Sequence, residues 1–183
     1  MAIVNGENCA PGNGIDKASA EMLLSGGADV ITTGNHVFKR FEADTLLDDE
    51  PGIIRPANYP PQLAGAGFSL CDCGSATVLV INLLGLVDME PLACPFATAD
   101  KILAENRGKY DFSIVDFHAE AIREICEKLD WKRDSRGRGC ALIESAAKQR
   151  ALSGGERGCE VVFERGVLVK PEGEKNLVLG NLC

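Results

Sequence analysis

Short apolar runs, each closed by a polar or glycine-rich cluster, recur along the first two thirds of the chain. Ala2-Ile3-Val4 is the first and reads as a buried strand. It ends at Asn5-Gly6-Glu7-Asn8, and a loop with Pro11, Gly12 and Gly14 follows. Asp16 is placed to cap a helix over residues 17–25, with Ala18, Met22 and Leu23 toward one face and Gly26-Gly27 as its stop. Residues 28–32 form a second apolar run, which leads into Gly34-Asn35-His36. A second helix is expected over residues 39–47, carrying Phe41 and Leu46, and Ile53-Ile54 is a third short strand. Strand, loop and helix in alternation predict an α/β fold with parallel strands. In such folds, sites form in the loops beyond the carboxyl ends of the strands.

The remainder is read in the same way. Residues 56–67, with Pro56, Pro60 and Pro61, form an irregular loop. Residues 68–70 and 77–82 predict a hairpin around a Cys-Gly-Ser turn. A helix over 98–106 turns Ile102 and Leu103 inward. The run Phe112-Ser113-Ile114-Val115 is a strand that ends at Asp116-Phe117-His118, and a helix over 119–129 follows. Beyond Trp131 the pattern weakens. A helix over 141–152 is expected there, with edge strands at 161–163, 167–169 and 177–179. This divides the chain into a first unit, 1–131, and a divergent tail, 132–183.

Composition sharpens that division. The chain of 183 residues carries a net charge of −8. Residues 1–131 hold 9 Lys and Arg against 20 Asp and Glu, whereas residues 132–183 hold 10 against 7. The acidic balance argues against stable nucleic-acid binding. An apolar share of 45% suits a globular domain, and no apolar run reaches membrane-spanning length. The first residues lack a basic region and an apolar stretch, so the expected compartment is the cytoplasm. The 8 cysteines show no zinc-type spacing, and Cys71-Asp72-Cys73 is the only close pair. There are 2 histidines, His36 and His118.

Three polar clusters therefore follow three apolar strands. A carboxylate, an amide oxygen and an imidazole together form a mixed oxygen and nitrogen ligand set, suited to Fe, Mn, Zn or similar ions. Two such ions about 3.5–4 Å apart can clamp a phosphate and activate water. Glu7 is the candidate bridge, because a carboxylate has two oxygens and a charge that offsets two cations. Asn35 offers a carbonyl oxygen and His118 an imidazole nitrogen. His36 is placed either to protonate a leaving alkoxide or to stabilise phosphoryl charge.

The clusters and their surroundings resemble the bacterial YmdB-like metallophosphoesterases, described as 2′,3′-cyclic-nucleotide 2′-phosphodiesterases. The resemblance rests on Val4-Asn5-Gly6-Glu7-Asn8, on residues 27–37 through Gly34-Asn35-His36-Val37, and on Arg55-Pro56-Ala57-Asn58-Tyr59-Pro60. It also rests on Val80-Ile81-Asn82-Leu83, Met89-Glu90-Pro91-Leu92, Cys94-Pro95-Phe96 and residues 115–121 around Asp116-Phe117-His118. It implies a calcineurin-like αββα sandwich, incomplete in this chain, and hydrolysis of a cyclic nucleotide or small phosphoester at two metal ions, Fe or Mn, or else Mg or Zn. It further implies that Glu7 bridges the metals, that Asn35 and His118 ligate one of them, that Asn8 lines the site and that His36 is the catalytic proton donor. The family pattern also includes a leading strand with Gly-Asp-x-x-Gly and a downstream Gly-Thr-His-Thr-His segment, neither present in this sequence. Without that leading strand a sheet edge is expected to be open, which favours a homo-oligomer. The alternatives carried forward are a catalytically inactive scaffold or regulatory protein, and an enzyme that recruits ligands from the tail such as Asp134, Glu144 or a cysteine.

Overall fold

The computed structural model describes residues 1–119, together with the backbone of three strands further along the chain. Nine strands and three helices are present among the described residues. They begin with β1 (Ile3–Asn5), α1 (Lys17–Ser25), β2 (Val30–Thr32), α2 (Ala43–Asp49) and β3 (Ile53–Ile54). The parallel pairs β1-β2 and β2-β3 make the first sheet. The chain continues with β4 (Phe68–Asp72), β5 (Thr77–Leu84), α3 (Pro95–Glu105), β6 (Phe112–His118) and β7 (Cys140–Glu144). A second sheet runs β4-β5-β6-β7, with an antiparallel hairpin at β4-β5 and parallel pairing after it. A short antiparallel pair, β8 (Val162–Phe163) and β9 (Leu168–Val169), forms separately.

Strand alternation sends side chains to opposite faces, and the two sheets use this to make four layers. Ile3, Val30 and Ile54 of the first sheet meet Val78, Val80 and Ile114 of the second in one shared core. Their opposite faces are covered by helices. Ile31 and Ile53 pack with Ala20, Leu46 and Leu47 of α1 and α2. Leu79, Ile81, Leu83, Val115 and Phe117 pack with Ala99 and Ile102 of α3. The expected αββα sandwich is thus observed.

Local chemistry accounts for the helix ends. Asp16 caps α1 as expected: its Oδ1 accepts from the Ser19 amide at 2.8 Å, and Ser19 reciprocates toward the Asp16 amide. The buried stripe of α1 differs from expectation. Ser19 and Ala20 are buried, with Leu23 and Leu24 half-buried, whereas Ala18 and Met22 are exposed. Ser19 can go inside because its hydroxyl is spent in the cap. The second helix starts later than expected, at Ala43, and leaves Phe41 fully exposed while Leu46 is buried. The third starts earlier, with Pro95 in its first turn.

Two further corrections concern β6 and the tail. β6 extends to His118, so Asp116 and His118 are strand residues on the same face as Ile114. Residues 141–144, expected to begin a helix, belong instead to β7, parallel to β6. A short apolar run such as Ala141-Leu142-Ile143 suits either state, and the open edge of β6 selects the strand. The expected helix over 119–129 from Glu120 on, residues 145–152 and the expected strand at 177–179 lie outside the described residues. No helix of the described residues is long and apolar enough to cross a membrane.

Candidate active site

On the faces that meet between the sheets, four strands, β1, β2, β5 and β6, change from apolar to polar near their carboxyl ends. Ile3 gives way to Asn5, Val30 to Thr32, Val80 to Asn82, and Ile114 to Asp116 and His118. Asn5 pairs with Thr32 across the first sheet, and Asn82 with Asp116 across the second. The first and third clusters begin in this polar level, at Asn5 and Asp116, and Gly34-Asn35-His36 follows it after Thr32.

Glu7 is the meeting point. It is 3% exposed, on the loop after β1. Its Oε2 lies 3.1 Å from His118 Nδ1, and its Oε1 lies 3.3 Å from His36 Nδ1 and 3.4 Å from the His36 backbone N–H. Asn8 Oδ1 is 2.9 Å from the same His36 Nδ1. The loop that presents Glu7 is tied to β2 by the Gly6 amide, which donates to the Thr32 carbonyl at 2.8 Å. Gly34 makes room for the carboxylate: a Cβ there would stand 2.5 Å from Glu7 Cδ. Asn35 is half-buried on the turn between Gly34 and His36. Of the sequence-predicted residues, Glu7, His36, His118 and Asn8 are therefore brought together by direct contact, and Asn35 is placed beside them by chain position.

His118 is 7% exposed. Burial, with the neighbouring His36 second, pushes its imidazole down from 6.5 to about 4. It is neutral at pH 7, and a neutral ring meets Glu7 Oε2 by donating its Nδ1–H, which puts the lone pair on Nε2. A folded-state value below the unfolded one means that the unfolded chain takes up the proton first. Stability is then full above about pH 6.5 and is lost as pH falls toward 4. We expect a loss of about 3 kcal/mol across that window, read from urea midpoints in the presence of a chelator. His118→Gln should flatten the profile between pH 6.5 and 4, and an unchanged slope in that variant would contradict the assignment.

The Arg55–Pro60 stretch supports the site from below. Arg55 is buried, and its guanidinium binds the carbonyls of Ala64 at 2.9 Å and Pro56 at 3.0 Å, which closes the 56–67 loop. Asn58 clamps the end of β5, donating to the Leu84 carbonyl at 2.8 Å and accepting from the Leu84 amide at 2.9 Å. Tyr59 donates to Glu90 Oε2 at 3.2 Å and meets Phe38 edge-on. Burial, reinforced by Glu90, raises the Tyr59 hydroxyl far above its usual range. Sequence reasoning included Thr32 and Asn82 in the family pattern without giving them a role, and treated Asp116 only as a neighbour of His118. Counting back in twos from His118 along an inward face would have found Asp116.

A sequence model of the family described as "YmdB-like protein" matches residues 1–141. The chain belongs to the YmdB-like family. It is 39% identical over 143 residues to the 2′,3′-cyclic-nucleotide 2′-phosphodiesterase of Bacillus subtilis strain 168, an alignment that covers 78% of this chain and 53% of that protein. Its fold is similar to the crystal structure of a "hypothetical protein" from Thermus thermophilus, with a TM-score of 0.66 and 29% identity over 77% of this chain and 64% of that one. A crystal structure described as a novel phosphatase of Mycoplasma pneumoniae matches in fold, with a TM-score of 0.62 and 24% identity over 77% and 60% of the two chains. This YmdB-like chain spans about half the length of the curated relatives it matches.

The donor atoms gathered around Glu7 fit transition-metal ions in kind, being carboxylate, amide and imidazole. They do not fit a closed two-metal centre in number. Among the described residues no group of three His, Cys, Asp or Glu side chains is arranged to hold a metal ion.

Proposed function

We propose that the strand-end clusters are the Glu7-centred half of a phosphodiesterase site of the YmdB-like family, acting on 2′,3′-cyclic nucleotides or related phosphoesters. The observation that carries this reading is the divided carboxylate of Glu7, with one oxygen turned to His36 and the other to His118. In this reading Glu7, Asn35 and His118 are metal ligands, and Asn8 lines the site. When bound, Fe or Mn, or alternatively Mg or Zn, would supply a Lewis acid for the phosphoryl group and an activated water. The described residues provide the Glu, Asn and one His of that set, so metal is expected to bind weakly.

His36 has the attributes of the proton donor. Two acceptors, Glu7 Oε1 and Asn8 Oδ1, converge on its Nδ1. They hold Nδ1 protonated and leave Nε2 as the nitrogen that exchanges a proton with substrate. The side chain is about one quarter exposed, at 27%, so substrate can approach it. Held this way, the ring presents Nε2 to pass a proton to the leaving alkoxide.

The test is hydrolysis of a 2′,3′-cyclic nucleotide by the full chain with added Mn²⁺. Slow, chelator-sensitive turnover is expected, falling about 10²-fold or more in kcat when His36 is replaced by alanine. Turnover that survives both the chelator and His36→Ala would overturn the reading. A second reading, a non-catalytic scaffold, is favoured by one observation: among the described residues no group of three His, Cys, Asp or Glu side chains is arranged to hold a metal ion. Complete absence of turnover at saturating Mn²⁺ would select it.

A further inference from the structure

We propose that Asp116 is a positioning residue, a single buried carboxyl that sets the three strand-end clusters in register with one another. This rests on the reading of those clusters as the phosphodiesterase site. Asp116 is 2% exposed and lies in β6, two residues before His118 and on the same inward face. Its Oδ2 reaches across the gap between the sheets. There it accepts from Asn5 Nδ2 at 2.9 Å, at the end of β1, and from Thr32 Oγ1, at the end of β2.

Each of those bonds continues toward the site. Once the Asn5 amide nitrogen is committed to Asp116, its Oδ1 must face the other way. There it accepts the backbone N–H of Glu7 at 3.2 Å. The orientation of Asn5, and with it the place of Glu7, is therefore dictated from the opposite sheet. Thr32 ends the strand that leads to Gly34, whose missing side chain accommodates the Glu7 carboxylate. Its carbonyl holds Gly6. One carboxyl thus fixes the Glu7 loop through Asn5 and the Gly34-Asn35-His36 turn through Thr32, while its own strand delivers His118. Asn82, its register partner on β5, ties the sheets independently by donating to the carbonyls of Thr33 at 2.8 Å and Ile54 at 3.1 Å. Sheet packing alone therefore does not need Asp116, and the alignment of the clusters does. A buried hydrogen-bonded network specifies one arrangement where apolar packing tolerates several.

The test compares Asp116→Ala and Asp116→Asn with Ile114→Ala, which removes core volume from the same face of the same strand. Hydrogen exchange at the Glu7 amide and the imidazole spectra of the 2 histidines are read well below each unfolding midpoint. Asp116→Ala should speed Glu7 exchange on the order of tenfold and shift both imidazoles. Asp116→Asn, which keeps an oxygen acceptor, should restore most of the protection. Ile114→Ala should lower the midpoint and leave both readouts near wild type. The proposal is overturned if Asp116→Ala changes Glu7 exchange no more than Ile114→Ala does, or if Asp116→Asn behaves like Asp116→Ala. Should Asp116→Ala fail to fold, Asn5→Ala and Thr32→Val replace it. The former must expose the Glu7 amide and the latter must shift the His36 spectrum, and silence in both overturns the proposal. A wild-type chain that shows no turnover and no metal binding leaves these readouts intact and counts only against the proposed function.

Discussion

Gly34→Ala is expected to dismantle the site while the domain remains folded. The new Cβ would stand 2.5 Å from Glu7 Cδ and 2.7 and 2.8 Å from its two oxygens, all closer than real contacts allow. Glu7 is buried, and both oxygens are held, by His36 on one side and His118 on the other. The carboxylate must swing out, or the β2 turn that carries His36 must recede. Either movement separates the pair of contacts that defines the site. Overpacking of this kind costs about 1–3 kcal/mol, which a folded domain tolerates. A displacement near 1 Å in a catalytic group costs about 10²-fold in rate. Under the proposed function turnover should fall at least that far, and the imidazole spectra of His36 and His118 should both change. Activity and spectra that match wild type would show that Glu7 is not confined between Gly34 and the histidines.

Phe117→Ala should have the largest effect on stability. Phe117 is 1% exposed, and its ring stacks on Phe96 with centroids 5.5 Å apart and an interplanar angle of 20°. It stands in the core between the second sheet and α3, with Leu79, Ile81, Leu83, Ala99 and Ile102. Removing a buried phenyl ring costs about 3–5 kcal/mol, because the cavity collapses only in part. Total stability of a domain is about 5–15 kcal/mol. A fall of roughly 10 °C in the unfolding midpoint is expected for a chain of this size. Phe117 points away from Asp116 and His118, so the site chemistry of the remaining folded molecules should be little altered. A loss under about 1 kcal/mol by urea denaturation would contradict this placement.

The parallel order of the first sheet was legible because its strands are short apolar runs, each punctuated, whereas the αββα sandwich was implied by the family resemblance. Ile3-Val4, Val30-Ile31 and Ile53-Ile54 each stop at a polar or proline residue, and the helices between them announce the parallel order. The site clusters were legible for the same reason. What escaped notice was polar structure inside the fold. Asp116 and His118 look like a loop in sequence, yet they continue the alternation of β6, because the inter-sheet space turns polar at that level. Ser19 rather than Met22 is buried, because the capping bond that lets a serine be buried depends on Asp16, three residues away. Residues 141–144 form a strand rather than the expected helix, because their place beside β6 is set by a partner far off in sequence. The Arg55–Pro60 stretch, read as part of the family pattern, is chiefly a scaffold: Arg55 and Asn58 spend their polar atoms on nearby backbone.

The central claim is that the divided carboxylate of Glu7 organises this site. It is tested most directly by calorimetric titration of Mn²⁺ into the full chain, Glu7→Ala and Gly34→Ala under identical conditions. The expected result is weak binding by wild type, at no more than about one ion per chain, and its disappearance in both variants. Binding that persists unchanged in Glu7→Ala would contradict the claim.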